Sequence, residues 1–188
     1  MTLMLISGPA EEPVTIDEMR AQPRLDGMEE DALLAAFITA ARSILEAETR
    51  RAFVTQGWRL LLDRWPNGEI VLPLAPVSEV TRLALVGNGG ETRELDAALY
   101  ATALAGDTPR LAPLGRLPAP TRRIGAIAVD FTAGYGAAED VPAPLKQAIK
   151  MLVAHWFEAR LPVAFGDAPS EVPLTVASLV APYRRLHP

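Results

Sequence analysis

The sequence predicts an α+β protein, in which a helical body of two long helices plus short helices carries an inserted antiparallel β lobe. Two observations predict this class. Apolar residues recur at helical spacing towards both ends of the chain, whereas in the middle apolar and polar residues alternate between turn sequences. The resulting order of helices, then strands, then helices is typical of an α+β fold.

Composition limits the kind of protein. Of 188 residues, 49% are hydrophobic and 22% are charged, so the chain can form a sizeable core. A net charge of -5 argues against a broad phosphate-binding face. Cysteine is absent, which excludes disulfides, thiolate nucleophiles and cysteine-based zinc sites. The apolar stretch Ile149–Phe157 is far shorter than the ~20 residues of a membrane span, and Met1–Ile6 reads as a strand or extended arm rather than a signal peptide.

Two helices are predicted in the first 54 residues. Thr15 and Glu18 have the spacing of a capping box, so a short helix should begin there and end before Pro23. A long helix is predicted from Met28 to Arg50. Its apolar stripe consists of Leu34, Phe37, Ile38, Ala41, Ile44 and Leu45.

The β lobe is predicted from Thr55 to Thr132. A first hairpin would join Trp58–Asp63 to Glu69–Leu72 through Pro66-Asn67-Gly68, and a second would join Val80–Val86 to Thr92–Leu95 through four residues, three of them glycine. Further strands are predicted at Leu99–Leu104, at Arg110–Ala112 as an edge strand, and at Ala126–Phe131. The core of the lobe should contain Trp58, Leu60, Ile127, Val129 and Phe131.

The second long helix is predicted to begin near Pro142 and Pro144 and to end before Pro162. A loop follows, then a short amphipathic helix, Leu174–Ala181, ended by Pro182. The predicted domain organisation is therefore 1–54 and 133–173 as the helical body, 55–132 as the β lobe, and 174–188 as a separate C-terminal segment.

Signatures of catalysis are scarce, and the sequence predicts no enzyme. It contains no nucleophile elbow, phosphate-binding loop or zinc-binding helix motif, and we assign no catalytic, cofactor-binding or metal-binding residues. His155 lies on the second long helix without an acidic partner at ligand spacing, and His187 lies in the tail. Glu29-Glu30-Asp31 complements the helix dipole better than it would bind a cation, since consecutive helical residues point in different directions.

Two further groups leave alternatives open. The tryptophans Trp58, Trp65 and Trp156 fit core aromatics, although they could form a sugar-stacking platform. For Arg122-Arg123 we favour ordinary solvated arginines, whereas Arg184-Arg185 follows an apolar segment and favours contact with a partner. A small hydrolase or a carbohydrate-binding module therefore remains a competing interpretation.

Several segments, read in order, resemble the phage head-tail connector (adaptor) family, which includes the adaptor subunits of gene transfer agents. The resemblance covers nearly the whole chain and departs from the family pattern mainly in the loop Leu161–Val172. The segments are Pro13-Val14-Thr15, Glu30-Asp31-Ala32-Leu33, Thr55-Gln56-Gly57-Trp58-Arg59-Leu60, Leu62-Asp63-Arg64-Trp65-Pro66, Phe131-Thr132-Ala133-Gly134-Tyr135-Gly136, Val141-Pro142-Ala143-Pro144-Leu145-Lys146-Gln147-Ala148-Ile149, Val153-Ala154-His155-Trp156-Phe157-Glu158 and Leu179-Val180-Ala181-Pro182-Tyr183-Arg184.

The resemblance implies a structural subunit of a homo-oligomeric ring, usually dodecameric, assembled in the bacterial cytoplasm into a virion or phage-like particle. Such a ring docks beneath the portal protein, offers a platform to the next tail component (a stopper or tail terminator), and lets DNA pass without sequence-specific binding. Another head-completion or tail-terminator protein is the alternative among virion proteins.

We predict that the C-terminal segment anchors the subunit to the portal. Its apolar stripe is too short to stabilise an isolated helix, so it needs a surface to pack on. Tyrosine and arginine, which often carry binding energy at interfaces, follow directly. The predicted portal-binding residues are Val176, Leu179, Val180, Tyr183, Arg184 and Arg185. The alternative is that the stripe packs on its own subunit, in which case Leu161–Val172 becomes the next candidate.

Overall fold

The structure is a computed structural model that describes residues 1–21, 31–159 and 173–185. It contains both helices and antiparallel sheets, which confirms the α+β class. The contacts between residues are concentrated within two compact units. The β unit comprises Met1–Ala10 and Thr55–Tyr135, and the helical unit comprises Glu11–Val54 and Gly136–Pro188.

The β unit contains a five-stranded and a three-stranded sheet, both antiparallel. Its strands are β1 (Thr2–Ser7), β2 (Gln56–Leu62), β3 (Ile70–Val71), β4 (Val77–Val86), β5 (Thr92–Glu94), β6 (Tyr100–Ala103), β7 (Arg110–Pro113) and β8 (Ile127–Ala133). The larger sheet has the order β1-β2-β8-β4-β5 and the smaller one β3-β7-β6. The strand alternative for Met1–Ile6 is therefore confirmed.

The core of the β unit is centred on β8. Alternation in its sequence predicts one buried face, yet every residue from Ile127 to Phe131 is buried. On the second face, Ala128 has a small side chain and Asp130 is covered by the guanidinium groups of Arg59 and Arg82, so both residues are largely shielded from solvent. Of the predicted core residues, Leu60, Ile127, Val129 and Phe131 are buried and Trp58 is half-buried.

The first predicted hairpin is wrong. Its leading segment does form a strand, but β2 already pairs with β1 on one side and with β8 on the other. The returning segment, Ile70–Val71, therefore pairs with β7 in the smaller sheet. Pro66-Asn67-Gly68 favours a local turn, but the full-length pairing of β2 with β8 decides where the strand lies.

The second predicted hairpin is confirmed, since β4 pairs with β5 and Gly87 donates its N–H to the carbonyl of Glu91 at 2.8 Å. Gly90 has φ 86°, a conformation that favours glycine. The strand predicted near Leu99–Leu104 forms as β6. The strand at Arg110–Ala112 also forms, but as the central β7 rather than as an edge strand, because its proline, Pro113, stands at the end of the strand.

The helical unit contains α1 (Ile16–Arg20), α2 (Asp31–Thr49), α3 (Ala143–Ala159) and α4 (Leu174–Val180). The predicted capping box is confirmed: Glu18 donates its N–H to the Thr15 hydroxyl at 3.1 Å, and its carboxylate accepts from the Thr15 N–H at 2.9 Å. This backbone hydrogen bond from Thr15 lowers the pKa of Glu18 despite partial burial of the carboxyl, and Lys150, 3.1 Å away, acts in the same direction.

The two long helices pack on each other through the predicted apolar stripe of α2. Leu34, Ile38, Ala41 and Leu45 are buried, whereas Ile44 stays exposed. Arg50, which follows α2, has φ 54°, so the helix ends at Thr49, one residue before the predicted end. Met28 to Glu30 at its predicted start, Pro23, and the loop 162–172 lie outside the described residues.

The structural units differ from the predicted division at the start of the chain. Met1–Ala10 groups with the strands because Thr2–Ser7 pairs with β2, although the sequence placed residues 1–54 together. The separate status of 133–173 and 174–188 stays a prediction. In the described part of the chain, no helix is both long and apolar enough to cross a bilayer.

Candidate functional site

The predicted anchor segment folds onto its own helical unit. Helix α4 packs against α3, and Val176 and Val180 on its inner side are completely buried. Leu179 is half-buried. Pro182 does not simply end the helix, since it lies within a single 3-10 turn, Ala181–Tyr183, that continues from α4. The two valines therefore stabilise the subunit itself.

The residues after α4 are attached to the end of α2. Arg51 donates its Nε–H to the carbonyl oxygen of Tyr183 at 2.7 Å, and the backbone N–H of Arg185 donates to the carbonyl oxygen of Thr49 at 3.3 Å. The guanidinium of Arg184 pairs with the carboxylate of Glu48. These contacts fix the path of the chain through residue 185.

Only some of the predicted portal-binding residues remain accessible to a partner. Leu179 and Tyr183 are half-buried, and the side chain of Arg184 is 44% exposed. An ion pair this exposed contributes little to folding, which leaves the arginine available to a partner. We call Leu179, Tyr183 and Arg184 the C-terminal contact set. Arg185, the last of the predicted portal-binding residues, is also half-buried and is not included in this set.

A second cluster, which the sequence did not reveal, lies on the outer face of the five-stranded sheet. Met4, Arg59, Asp130 and Arg82 are direct cross-strand neighbours on β1, β2, β8 and β4. Arg59 contacts both carboxylate oxygens of Asp130, with Nε 2.6 Å from Oδ1 and Nη2 2.8 Å from Oδ2. Arg82 Nε donates to Oδ2 at 2.9 Å. One carboxylate thus joins three strands.

The electrostatics of this cluster favour the charged states of Asp130 and Arg59. Burial disfavours the ionised Asp130, but hydrogen bonds and charge from Arg59 and Arg82 outweigh it and lower the pKa of Asp130. The hydrogen bond to Asp130 raises the pKa of Arg59, against partial burial. We call Arg59, Asp130 and Arg82 the ion triad, in which the carboxylate of Asp130 stays ionised near neutral pH.

The same face carries an open depression of about 410 Å³. Its lining combines charged Arg59, Arg82 and Arg122 with apolar Met4 and Ile124. Apolar and arginine side chains side by side are typical of surfaces that contact another protein.

The remaining candidate residues do not come together. His155 is half-buried beside Glu158 in a shallow groove of α3 and α4, and Asp31 pairs with Arg20. Glu29, Glu30 and His187 lie outside the described residues. Arg122 is half-buried and Arg123 exposed. Across residues 1–21, 31–159 and 173–185, no group of three or more acidic or histidine side chains could hold a metal ion.

The tryptophans serve packing within separate units. In the β unit, Trp65 donates its Nε1–H to the carbonyl oxygen of Pro118 at 2.8 Å, and Trp58 lies on β2. In the helical unit, the rings of Trp156 and Phe37 meet edge to face with centroids 5.8 Å apart. These contacts are typical of core aromatics.

Comparison with known proteins identifies the family. The profile of the family described as head completion protein matches residues 12–186. A chain in a structure of the virion of a native gene transfer agent particle is 30% identical, with TM-score 0.83, and the match covers 100% of this chain and 97% of that one. No curated protein matches in sequence.

Two further matches come from particle necks. A chain in the neck of an empty gene transfer agent particle, computed with C6 symmetry, is 31% identical with TM-score 0.84. One in the neck of a native particle, computed with C12 symmetry, is 28% identical with TM-score 0.80; both matches cover 100% of this chain and 97% of the other. The resemblance found in the sequence is thereby confirmed, and the chain belongs to the head completion protein family, structural virion proteins of the head-tail connection.

Proposed function

We propose that this protein is a head-tail connector subunit that forms a ring of twelve copies between the portal and the next tail component of a phage or gene transfer agent particle. One observation carries the proposal: the fold matches neck chains over its entire length, in particles reconstructed with sixfold and twelvefold symmetry. Assembly takes place in the bacterial cytoplasm before the particle is released.

The chemistry of the chain supports a structural role. Several charged residues of the described part form ion pairs that hold the fold together. Arg59 on β2 pairs with Asp130 on β8, and Arg42 on α2 pairs at 2.8 Å with Glu12, which precedes α1. A net charge of -5 suits a channel through which DNA passes, because an acidic lining does not retain a polyanion. No sequence-specific contact with DNA is required.

The portal contact, in this proposal, is made by the C-terminal contact set. Val176 and Val180 hold α4 on the subunit, and this rigid base presents Leu179, Tyr183 and Arg184 without a further ordering cost. Tyrosine and arginine are the types that most often dominate interface energies. Arg184 would exchange its exposed pairing with Glu48 for an acidic group of the portal.

The test is the double variant Tyr183→Ala with Arg184→Ala. Folding should persist, because the hydrogen bond from Arg51 reaches the backbone of Tyr183 and the Arg184 pair is exposed. Binding to portal-bearing heads should weaken by about 2 kcal/mol or more, roughly 30-fold, if these are interface hot spots. Co-sedimentation of purified protein with heads that lack it measures the affinity.

A matched control uses the same helix. Thr175 and Ser178 are exposed on α4 but lie outside the C-terminal contact set, so Thr175→Ala with Ser178→Ala should bind like the wild type. Circular dichroism checks that the Tyr183 and Arg184 variant is folded. If the folded variant still binds heads with wild-type affinity, the anchor lies elsewhere and residues 161–172 are the next to test.

A further inference from the structure

The edge strand β1 has an unusual composition for a strand at the border of a sheet. Thr2-Leu3-Met4-Leu5-Ile6-Ser7 contains no charge, proline or glycine. Edge strands of proteins that act alone usually carry such residues, because an open row of N–H and C=O groups invites pairing with another chain. Nothing in the sequence of β1 discourages such pairing.

The exposure of β1 strengthens this observation. Met4, Leu5 and Ile6 are 48%, 51% and 53% exposed, respectively. Met4 faces the side of the sheet that carries Arg59, while Leu5 faces the side of Trp58, so apolar surface is open on both faces of one strand. Within the described residues, β1 pairs only with β2. Contiguous apolar surface of this kind marks an interaction site.

The occupant of this edge follows from symmetry and rests on the proposed ring. A β1 strand that paired with β1 of a neighbour would use the same patch twice and close a pair, which cannot continue around a ring. A ring requires two different patches on each subunit, one meeting the other at every step. The necks that contain similar chains were computed with sixfold and twelvefold symmetry.

We propose that β1 is one half of the subunit contact of the ring, covered by a different surface of the next copy of this chain. Six residues of strand offer about 20 Å of backbone edge at the usual rise per residue. The adjacent depression, lined by Met4 and Ile124 with Arg59 and Arg122, extends the same surface beyond the strand. Both apolar burial and backbone hydrogen bonds would then hold neighbouring copies together.

Cross-linking tests this contact, because the chain has no cysteine and a single introduced cysteine is unique. Met4→Cys is labelled with benzophenone maleimide and added to heads that lack the protein, and the particles are irradiated. The expected product contains two copies of this chain, with the label attached outside Thr2–Ser7 of the second copy. Leu114→Cys, 66% exposed and apolar but outside β1, is the control.

The outcomes separate this inference from the proposed function. If neither the two labelled variants nor the unlabelled chain binds heads, the proposed connector function is wrong. If both bind heads but Met4→Cys cross-links only to another protein, only to β1 of a second copy, or to nothing, the β1 contact is wrong and the function stands.

A charge on the strand provides an independent measurement. Met4→Lys should fold, because Met4 is half-exposed, but it should lower the number of copies retained per head, since a charged edge opposes pairing. Leu114→Lys should be retained like the wild type. Equal retention of the two variants would contradict the proposal.

Discussion

Replacing Val180 with aspartate is expected to destabilise the helical unit by about 3–5 kcal/mol, because it places an unpaired charge in a site with no access to water. The valine is fully buried where α4 packs against α3. Chemical denaturation followed by circular dichroism measures the loss. The milder Val180→Ala removes two methyl groups and should cost about 2 kcal/mol.

The neighbouring exposed residue supplies the control. Ser178→Asp introduces the same charge two positions away on the same helix and should change the free energy of unfolding by no more than about 0.5 kcal/mol. If Val180→Asp and Val180→Ala both unfold like the wild type, α4 does not pack as described, and its apolar stripe would be free to bind the portal directly.

The second large effect is expected at Asp130. Asp130→Asn removes the charge that holds Arg59 and Arg82 and should cost about 1–3 kcal/mol, as for other hydrogen bonds to charged groups. The side chain of Asp130 is only 12% exposed, so solvent replaces little of the lost interaction. Asp17→Asn, at a side chain 91% exposed, should change stability by less than about 0.5 kcal/mol.

Acid should remove the contribution of Asp130. The folded pKa of this carboxyl lies below its unfolded value, so the stabilisation is complete above the ordinary aspartate pKa of about 3.9 and is lost as the pH falls through the lowered value. The difference in unfolding free energy between wild type and Asp130→Asn should therefore be constant from neutral pH to about pH 5 and shrink below about pH 4. A difference that does not change in acid would contradict the triad.

Local signals explain which parts of the fold could be predicted. The capping box at Thr15, the apolar stripe of α2 and the glycine turn after β4 each depend on residues close in sequence, and each is present in the structure. The hairpin predicted after β2 is wrong because the true pairing of β2 is long-range. Its partner β8 lies some seventy residues away, as the pairing of Arg59 with Asp130 shows, and no local pattern records that distance.

In the candidate site too, local features could be predicted from the sequence and long-range contacts could not. The composition of 174–188 identified a short apolar helix followed by tyrosine and arginine, but the sequence could not tell that Val176 and Val180 face their own subunit. The triad of Arg59, Arg82 and Asp130 was missed because its members are adjacent only across strands. An aspartate in the middle of an apolar strand was the available signal, since a buried carboxylate requires partners.

A reconstruction of the neck of the particle that carries this chain, without imposed symmetry, tests the proposed connector role most directly. We expect a closed ring of copies of this fold directly beneath the portal, with Tyr183 and Arg184 of each copy facing the portal. A neck in which this fold is absent, or in which it lies on the tail side of another connector ring, would show that the protein is not the portal-bound connector.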